Sequence, residues 1–173
     1  MAITDEADPK LLLIRRSLQL PTHPGEIALP GGKRDPGDVD LCATAQREAW
    51  EEVALAPQQF RCAGTLGGRT SMTGLAVTPI IGTIAPALPL RGYAGEVAEI
   101  LYAPLAFFAD RHQLRADRVL RNGIERIAPR YQYGHYTIWG LTAGFIVQVV
   151  NRLYGAGLDV EARANSVLQA SKT

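Results

Sequence analysis

The chain has 173 residues, 47% of them hydrophobic, which suffices for one well-buried domain and is short for two. Its 18 Lys and Arg against 17 Asp and Glu leave a formal charge of +1, and the basic residues are scattered rather than gathered into a stripe along a phosphate backbone, so nucleic acid is not expected as a partner. Met1-Ala-Ile-Thr-Asp-Glu lacks the basic and apolar regions of a secretory leader, no apolar run approaches the ~20 residues that span a bilayer, and the closing Ala-Ser-Lys-Thr is not a peroxisomal address, so a cytoplasmic protein without membrane attachment is expected.

Only Met1 to Thr4 precede the turn-forming Asp5 to Pro9, which leaves little for a first strand to pair with the second: that strand is either mostly missing or supplied by Met1 to Thr4. Lys10 to Arg16 is a short apolar run and reads as a buried strand. Residues 17 to 26, broken by Pro21, Pro24 and Gly25, form a loop, and Ile27 to Leu29 is a short strand entering Pro30-Gly31-Gly32. After a second loop from Asp35 to Asp40, neither proline nor glycine interrupts Leu41 to Ala54. There Leu41, Ala45, Ala49 and Val53 recur with helical spacing, Asp40 is placed as the N-cap, and Pro57 follows the end. Phe60 to Leu66, Ala76 to Ala85 and Glu96 to Ala103 have the apolar and β-branched content of strands, and Pro104 to Asp110 reads as a short helix. Arg118 to Arg121, Glu125 to Ala128 and Tyr136 to Trp139 read as short strands, and Thr142 to Tyr154 as a second long helix ended by Gly155. No repeat or linker divides the chain, so a single α/β domain is expected, a mixed sheet sandwiched between helices. Cys42 and Cys62 fall in a helix and a strand, where they read as small buried hydrophobes of a reducing compartment rather than as a disulfide.

The chemistry concentrates in Arg47-Glu-Ala-Trp-Glu-Glu-Val. Positions i, i+3 and i+4 of a helix share a face, so Glu48, Glu51 and Glu52 are expected to converge and to repel one another. Hard cations such as Mg²⁺ and Mn²⁺ take oxygen ligands and share their coordination with substrate phosphate, which would relieve that repulsion. Arg47 is placed to turn toward a glutamate and hold its rotamer, and the Gly31-Gly32 turn lets backbone approach the ion or the phosphates. Alone, such an acidic run is commonly the solvated face of a surface helix, and a Gly-Gly turn is commonly only a turn. Their ordered combination separates the two readings.

In that order the residues resemble the Nudix box, the family pattern of Gly, five residues, Glu, seven residues, then Arg-Glu-apolar-x-Glu-Glu-x-Gly-apolar. The resemblance implies the Nudix fold and a hydrolase that uses Mg²⁺ or Mn²⁺ to cleave a nucleoside diphosphate linked to another moiety. It assigns metal and base duties to Glu48, Glu51 and Glu52, with the Gly31 carbonyl completing the metal shell. The box spans about residues 31 to 55. Leu12-Leu-Ile-Arg-Arg-Ser17, His23-Pro-Gly-Glu-Ile-Ala-Leu-Pro-Gly-Gly32 and Lys33-Arg-Asp-Pro-Gly-Asp38 resemble more narrowly the coenzyme A diphosphatase branch. Val77-Thr-Pro79, Gly95-Glu-Val-Ala-Glu99, Ala103-Pro-Leu105 and Ile138-Trp-Gly-Leu-Thr-Ala143 resemble it too. Against the patterns, Asp38 replaces the first box glutamate with one extra residue before Arg47, Ala54 replaces a glycine, implying an altered helix exit, and Pro21 stands where the branch carries an arginine.

By the same resemblance Glu96 is a further metal ligand or base, against its reading as an exposed strand-edge glutamate; Glu99 is the weaker of the two. Arg16, His23, Gly32 and Lys33 are substrate-facing candidates, although a loop histidine is more commonly a hydrogen-bonding spacer. Lys33, Arg34 and Arg69 either offset phosphate charge or are solvated. Trp50 is expected to pack under the N-terminal loop, and Tyr131, Tyr133, Tyr136 and Trp139 either recognise an adenine or form core. The substrate is a small-molecule diphosphate: coenzyme A or acyl-CoA by the branch resemblance, with ADP-ribose or another nucleotide, or a non-catalytic nucleotide-binding module, as alternatives. Family members are often dimers, and a homodimer through exposed strand edges is expected from the short N-terminus.

Overall fold

The computed structural model describes residues 1–71, 74–121 and 123–170. The closing Ser-Lys-Thr, read above for a peroxisomal address, lies outside them. The chain forms two compact units, Met1–Pro104 and Leu105–Thr173, which are taken in turn.

The first unit is a mixed sheet with one long helix. Strand β1 (Ala2–Thr4) pairs antiparallel with β2 (Lys10–Arg16) and parallel with β7 (Ile80–Ile84), so the four residues ahead of the first turn supply an interior strand. Of the two readings of this short start, a first strand mostly missing or one supplied by Met1 to Thr4, the second holds. Three residues suffice because both neighbours hydrogen-bond to them, and a central position buries all three. The strand-edge argument for a dimer therefore does not apply at β1. On its other side β2 pairs along its length with β8 (Val97–Pro104), β3 (Ile27–Ala28) extends the β1 side, and β4 (Arg61–Thr65) closes the far edge against β7. The run expected as one strand from Ala76 to Ala85 breaks at Thr78-Pro79, because proline has no N–H for a ladder: β6 (Ala76–Val77) forms a hairpin with β5 (Arg69–Thr70), and β7 starts afresh at Ile80.

Helix α1 (Leu41–Val53) starts where Asp40 Oδ1 accepts the Ala43 N–H at 2.8 Å. Its inner face buries Ala49 and Val53 against Leu12 and Ile14 of β2, with Leu55, Phe60, Ile80 and Val97 completing the core. Burying each of the larger aliphatic side chains contributes about 1.5–3 kcal/mol. Leu41, expected on this stripe, lies 41% exposed in the first turn, and Trp50, one residue on from the buried Ala49 and so a helical step off the inner face, is 53% exposed rather than packed under a loop. Ala54 ends the helix at φ 55°, ψ 31°, with its N–H on the Trp50 carbonyl at 3.0 Å and the Leu55 N–H on Ala49 at 3.2 Å. The exit expected to differ without a glycine thus keeps the left-handed conformation in an alanine. A short 3₁₀ turn (Pro57–Gln59) follows. Cys42 is partly buried against this core, and burial pushes its thiol up to about 12. Cys62, expected to be buried, is exposed because β4 is an edge strand; both thiols are free.

The second unit opens with α2 (Leu105–Ala109) and contains the antiparallel sheet β9 (Arg115–Arg121), β10 (Ile124–Tyr133) and β11 (Tyr136–Trp139). β10 runs through Pro129, where the sequence suggested an end. Beyond Arg130 toward its start β10 pairs, among the described residues, with β9 alone, and a residue without N–H fits the unpaired side of the ladder. Helix α3 (Gly140–Tyr154) buries Ala143, Phe145, Ile146, Val147, Val149 and Val150 and ends at Gly155 with φ 59°. Helix α4 (Val160–Ala170) was not anticipated, although Asp159 caps it by accepting the N–H groups of Glu161 and Ala162. Tyr131 is fully buried edge-on to Phe108 at 5.1 Å and donates to the Phe108 carbonyl at 3.2 Å, so the core reading holds for that tyrosine. Among the described residues no helix is long and apolar enough to cross a membrane.

Candidate functional site

The carboxylates of α1 occupy three different environments. Glu52 is 4% exposed, and its Oε2 accepts the Gly31 N–H at 2.9 Å, which ties the glycine turn to the helix. Burial pushes its carboxyl up to about 7, the negative charges of Glu48 and Glu96 push the same way, and the Gly31 N–H and the Arg16 charge oppose them. Glu48 is partly buried, and its carboxyl too is raised by burial first, then by Glu51 and Glu96, against the pull of Arg47. Its carboxylate lies over Gly32 so closely that a Cβ there would land on it, so only glycine leaves the group where it is. Glu51, 54% exposed at its side chain, faces solvent.

Arg47 organises this face. Its Nη1 lies 3.0 Å from both Glu48 Oε1 and Glu51 Oε2, its Nε and Nη2 grip Asp38 at 3.1 Å each, and Nη2 donates to the Lys33 carbonyl at 2.8 Å. One planar guanidinium thereby joins helix and loop through a bidentate pair. Asp38 is 8% exposed and also accepts the Asp35 N–H at 2.9 Å; its bonds to Arg47 and Asp35 hold its carboxyl well below the usual range, while Arg47 is held above its own. The sequence offered Asp38 only as a departure from the box. Its nine-residue spacing to Arg47 was the available signal for the pairing. Arg34 donates to the Asp38 and Val39 carbonyls and so serves the loop.

The glutamates are not as close as helical spacing suggested: among the described residues no three carboxylate, His or Cys side chains are gathered tightly enough to hold one ion. Arg47 draws Glu48 and Glu51 outward while the Gly31 N–H draws Glu52 inward, and like charges do not close up without a cation. The donor set nevertheless fits a hard divalent ion. It consists of carboxylate oxygens, buried at Glu52, partly buried at Glu48 and exposed at Glu51, and like charges so placed attract a cation that takes oxygen ligands.

The turn ahead of β8 supplies Glu96, exposed, whose charge reaches both Glu48 and Glu52. Glu99, by contrast, pairs with Arg15 at 3.2 Å across β2 and β8. Arg16 ends β2 on the Glu52 side. Its charge acts on Glu52, its Nη2 donates to the Thr22 carbonyl at 3.3 Å, and among the described residues its buried Nε has no partner. His23, at φ 54°, is 62% exposed at its side chain and lies 3.1 Å from the Glu26 carboxylate, holding the loop it belongs to. Lys33 is exposed, with its carbonyl on Arg47. The structure therefore gathers Glu48, Glu51, Glu52, Glu96, Gly31, Gly32 and Arg16, and leaves His23 engaged within its own loop.

Comparison with known proteins shows the family to which the chain belongs. A model of the NUDIX domain matches residues 1–111. The Nudix hydrolase NudL of Photorhabdus laumondii is 40% identical over 145 residues, covering 84% of this chain and 78% of that protein. The MutT protein of Methanosarcina mazei superposes with a TM-score of 0.50 at 26% identity over 62% of this chain and 75% of its own. A MutT/nudix family protein of Enterococcus faecalis, at 17% identity, shares the fold with a TM-score of 0.54 over 89% of this chain and 60% of its own. From fold, box and relatives together, the chain belongs to the Nudix family, hydrolases that use divalent metal ions to cleave a nucleoside diphosphate linked to another moiety.

Proposed function

We propose that this Nudix hydrolase acts on coenzyme A or acyl-CoA, giving adenosine 3′,5′-bisphosphate and 4′-phosphopantetheine. The likeness of residues 12–17, 23–32 and 33–38 to the coenzyme A diphosphatase signature supports the substrate. The observation that carries the hydrolysis is the buried Glu52, tied to Gly31 at 2.9 Å with the charges of Glu48 and Glu96 beside it. Mg²⁺ or Mn²⁺ would be held by Glu48, Glu51, Glu52 and the Gly31 carbonyl, and an ion there supplies Lewis-acid polarisation of the diphosphate and a more acidic water.

The residues around that centre have separable tasks. Arg47 holds Glu48 and Glu51 in fixed rotamers, and Asp38 holds Arg47. Arg16, with its unpartnered Nε, donates to a phosphate oxygen, and Lys33 offsets phosphate charge. Glu96 accepts the proton of the attacking water. His23 keeps the β2–β3 loop in place through Glu26. Turnover of CoA, acyl-CoA and ADP-ribose with Mg²⁺ or Mn²⁺, with product identification, tests the reading. CoA compounds are expected to have the highest kcat/KM. A higher value for ADP-ribose overturns the substrate, and calorimetric binding of CoA without turnover overturns the hydrolysis.

A further inference from the structure

The segment joining β7 to β8 closes the end of the metal-site helix with its own backbone. Arg91 N–H donates to the Val53 carbonyl at 3.1 Å and Tyr93 N–H to the Glu52 carbonyl at 2.9 Å, satisfying acceptors that a helix end leaves bare. The Tyr93 carbonyl in turn accepts the N–H groups of Glu96 at 2.9 Å and Val97 at 2.8 Å, and the Glu96 carbonyl takes the Ser17 N–H at 2.7 Å. Three hydrogen bonds thus pin the Tyr93 backbone between the two residues, Glu52 and Glu96, whose carboxylates interact.

The ring itself is not part of any core. It is 62% exposed, and it leans on Gly95, where a Cβ would stand 3.0 Å from Tyr93 Cε1, so one edge is backed by bare backbone. Among the described residues the ring has no aromatic partner and its hydroxyl no hydrogen bond. A large exposed aromatic whose backbone is pinned next to Glu52 and Glu96 suits a planar ligand, since every nucleobase has a π-face and stacking demands no particular hydrogen-bond pattern.

We propose that Tyr93 is the nucleobase platform of the site, stacking on the base of the nucleoside diphosphate while Glu48, Glu52 and Glu96 serve its diphosphate. The inference rests on the hydrolytic reading of the carboxylates and is independent of whether CoA is the substrate. It is tested with the full chain, ADP-ribose and CoA as base-bearing substrates, and P1,P2-di(5-ribosyl) diphosphate as the same linkage without a base. Tyr93→Ala is expected to raise KM for the base-bearing compounds about tenfold or more with kcat nearly unchanged, Tyr93→Phe to restore it, and neither to change the base-free compound. Undiminished turnover of the base-free compound also shows that Tyr93→Ala folds. An equal KM rise on all three compounds, or no rise, overturns the platform. A second readout does not need hydrolysis: nuclear Overhauser contacts from the adenine protons of AMP to labelled tyrosine rings are expected in the wild type and absent in Tyr93→Ala. Contacts without turnover of any diphosphate would keep the platform and remove the hydrolytic reading; contacts that survive Tyr93→Ala would remove the platform.

Discussion

The two long helices make opposite use of their buried residues. α3 buries seven of its residues, all apolar or glycine, whereas α1 buries four, of which one is Thr44 and one is Glu52. α3 is held by packing. α1 is held by fewer apolar contacts and by polar ties at both ends: the Asp40 cap, the Asp38–Arg47 pair, the Gly31 N–H on Glu52, and the Arg91 and Tyr93 amides on its last carbonyls. A helix that carries charge on its exposed and half-buried positions gives up burial, and directional bonds from neighbouring loops replace it.

Four measurements break or sharpen this contrast. The largest effect is expected for Glu52→Gln, which should lower metal-dependent turnover about 10²–10⁴-fold. The metal-free melting temperature should not fall, because the amide no longer repels Glu48 and Glu96; full turnover would remove Glu52 from the site. Ile146→Ala, in the apolar heart of α3, should cost about 2–5 kcal/mol in denaturant unfolding. Should the folded fraction of that variant also lose kcat, α3 is more than a packing element.

Asp38→Asn comes next, and it tests whether polar ties carry α1. The Asp38 carboxyl lies below the ordinary 3.8, so its stabilising contribution is present above that value and is lost as pH falls toward the folded value, while Arg47 stays charged throughout. The melting temperature of the wild type should therefore exceed that of Asp38→Asn near neutral pH, and the gap should shrink below about pH 4. A constant gap would assign the effect to shape rather than charge. The variant should also lose turnover as Arg47 releases Glu48 and Glu51. The smallest effects compare the two helix ends, both left-handed: Gly155→Ala should destabilise by about 1–2 kcal/mol, and Ala54→Gly should stabilise by about 0.5–1 kcal/mol. Equal responses at the two ends would mean that the φ of 55° at Ala54 carries no strain.

Much of the site is legible in local pattern. Asp40 before an uninterrupted helical stretch, the Pro-Gly-Gly turn, and the Arg-Glu-x-x-Glu-Glu spacing each depend on residues a few positions apart, and these reappear as the N-cap, the glycine held by Glu52, and the face organised by Arg47. The spacing does not reveal that Glu52 is buried, that Glu48 rests on Gly32, or that Glu96 joins from the turn ahead of β8, since each depends on packing between distant segments.

By itself the sequence determined where α1 begins, that β2 is buried, that Tyr136–Trp139 is a strand, and that the chain carries a Nudix box, because caps, turns, periodicity and motif spacing act within a few residues. Only the tertiary structure decided that three residues at the N-terminus become an interior strand, that Pro129 lies within β10, that Ala54 takes a glycine's conformation, and that the three glutamates of one helix meet three different environments. In each case a distant partner supplies what local preference lacks: a ladder neighbour, an open strand side, a capping amide, or a guanidinium that divides the charges.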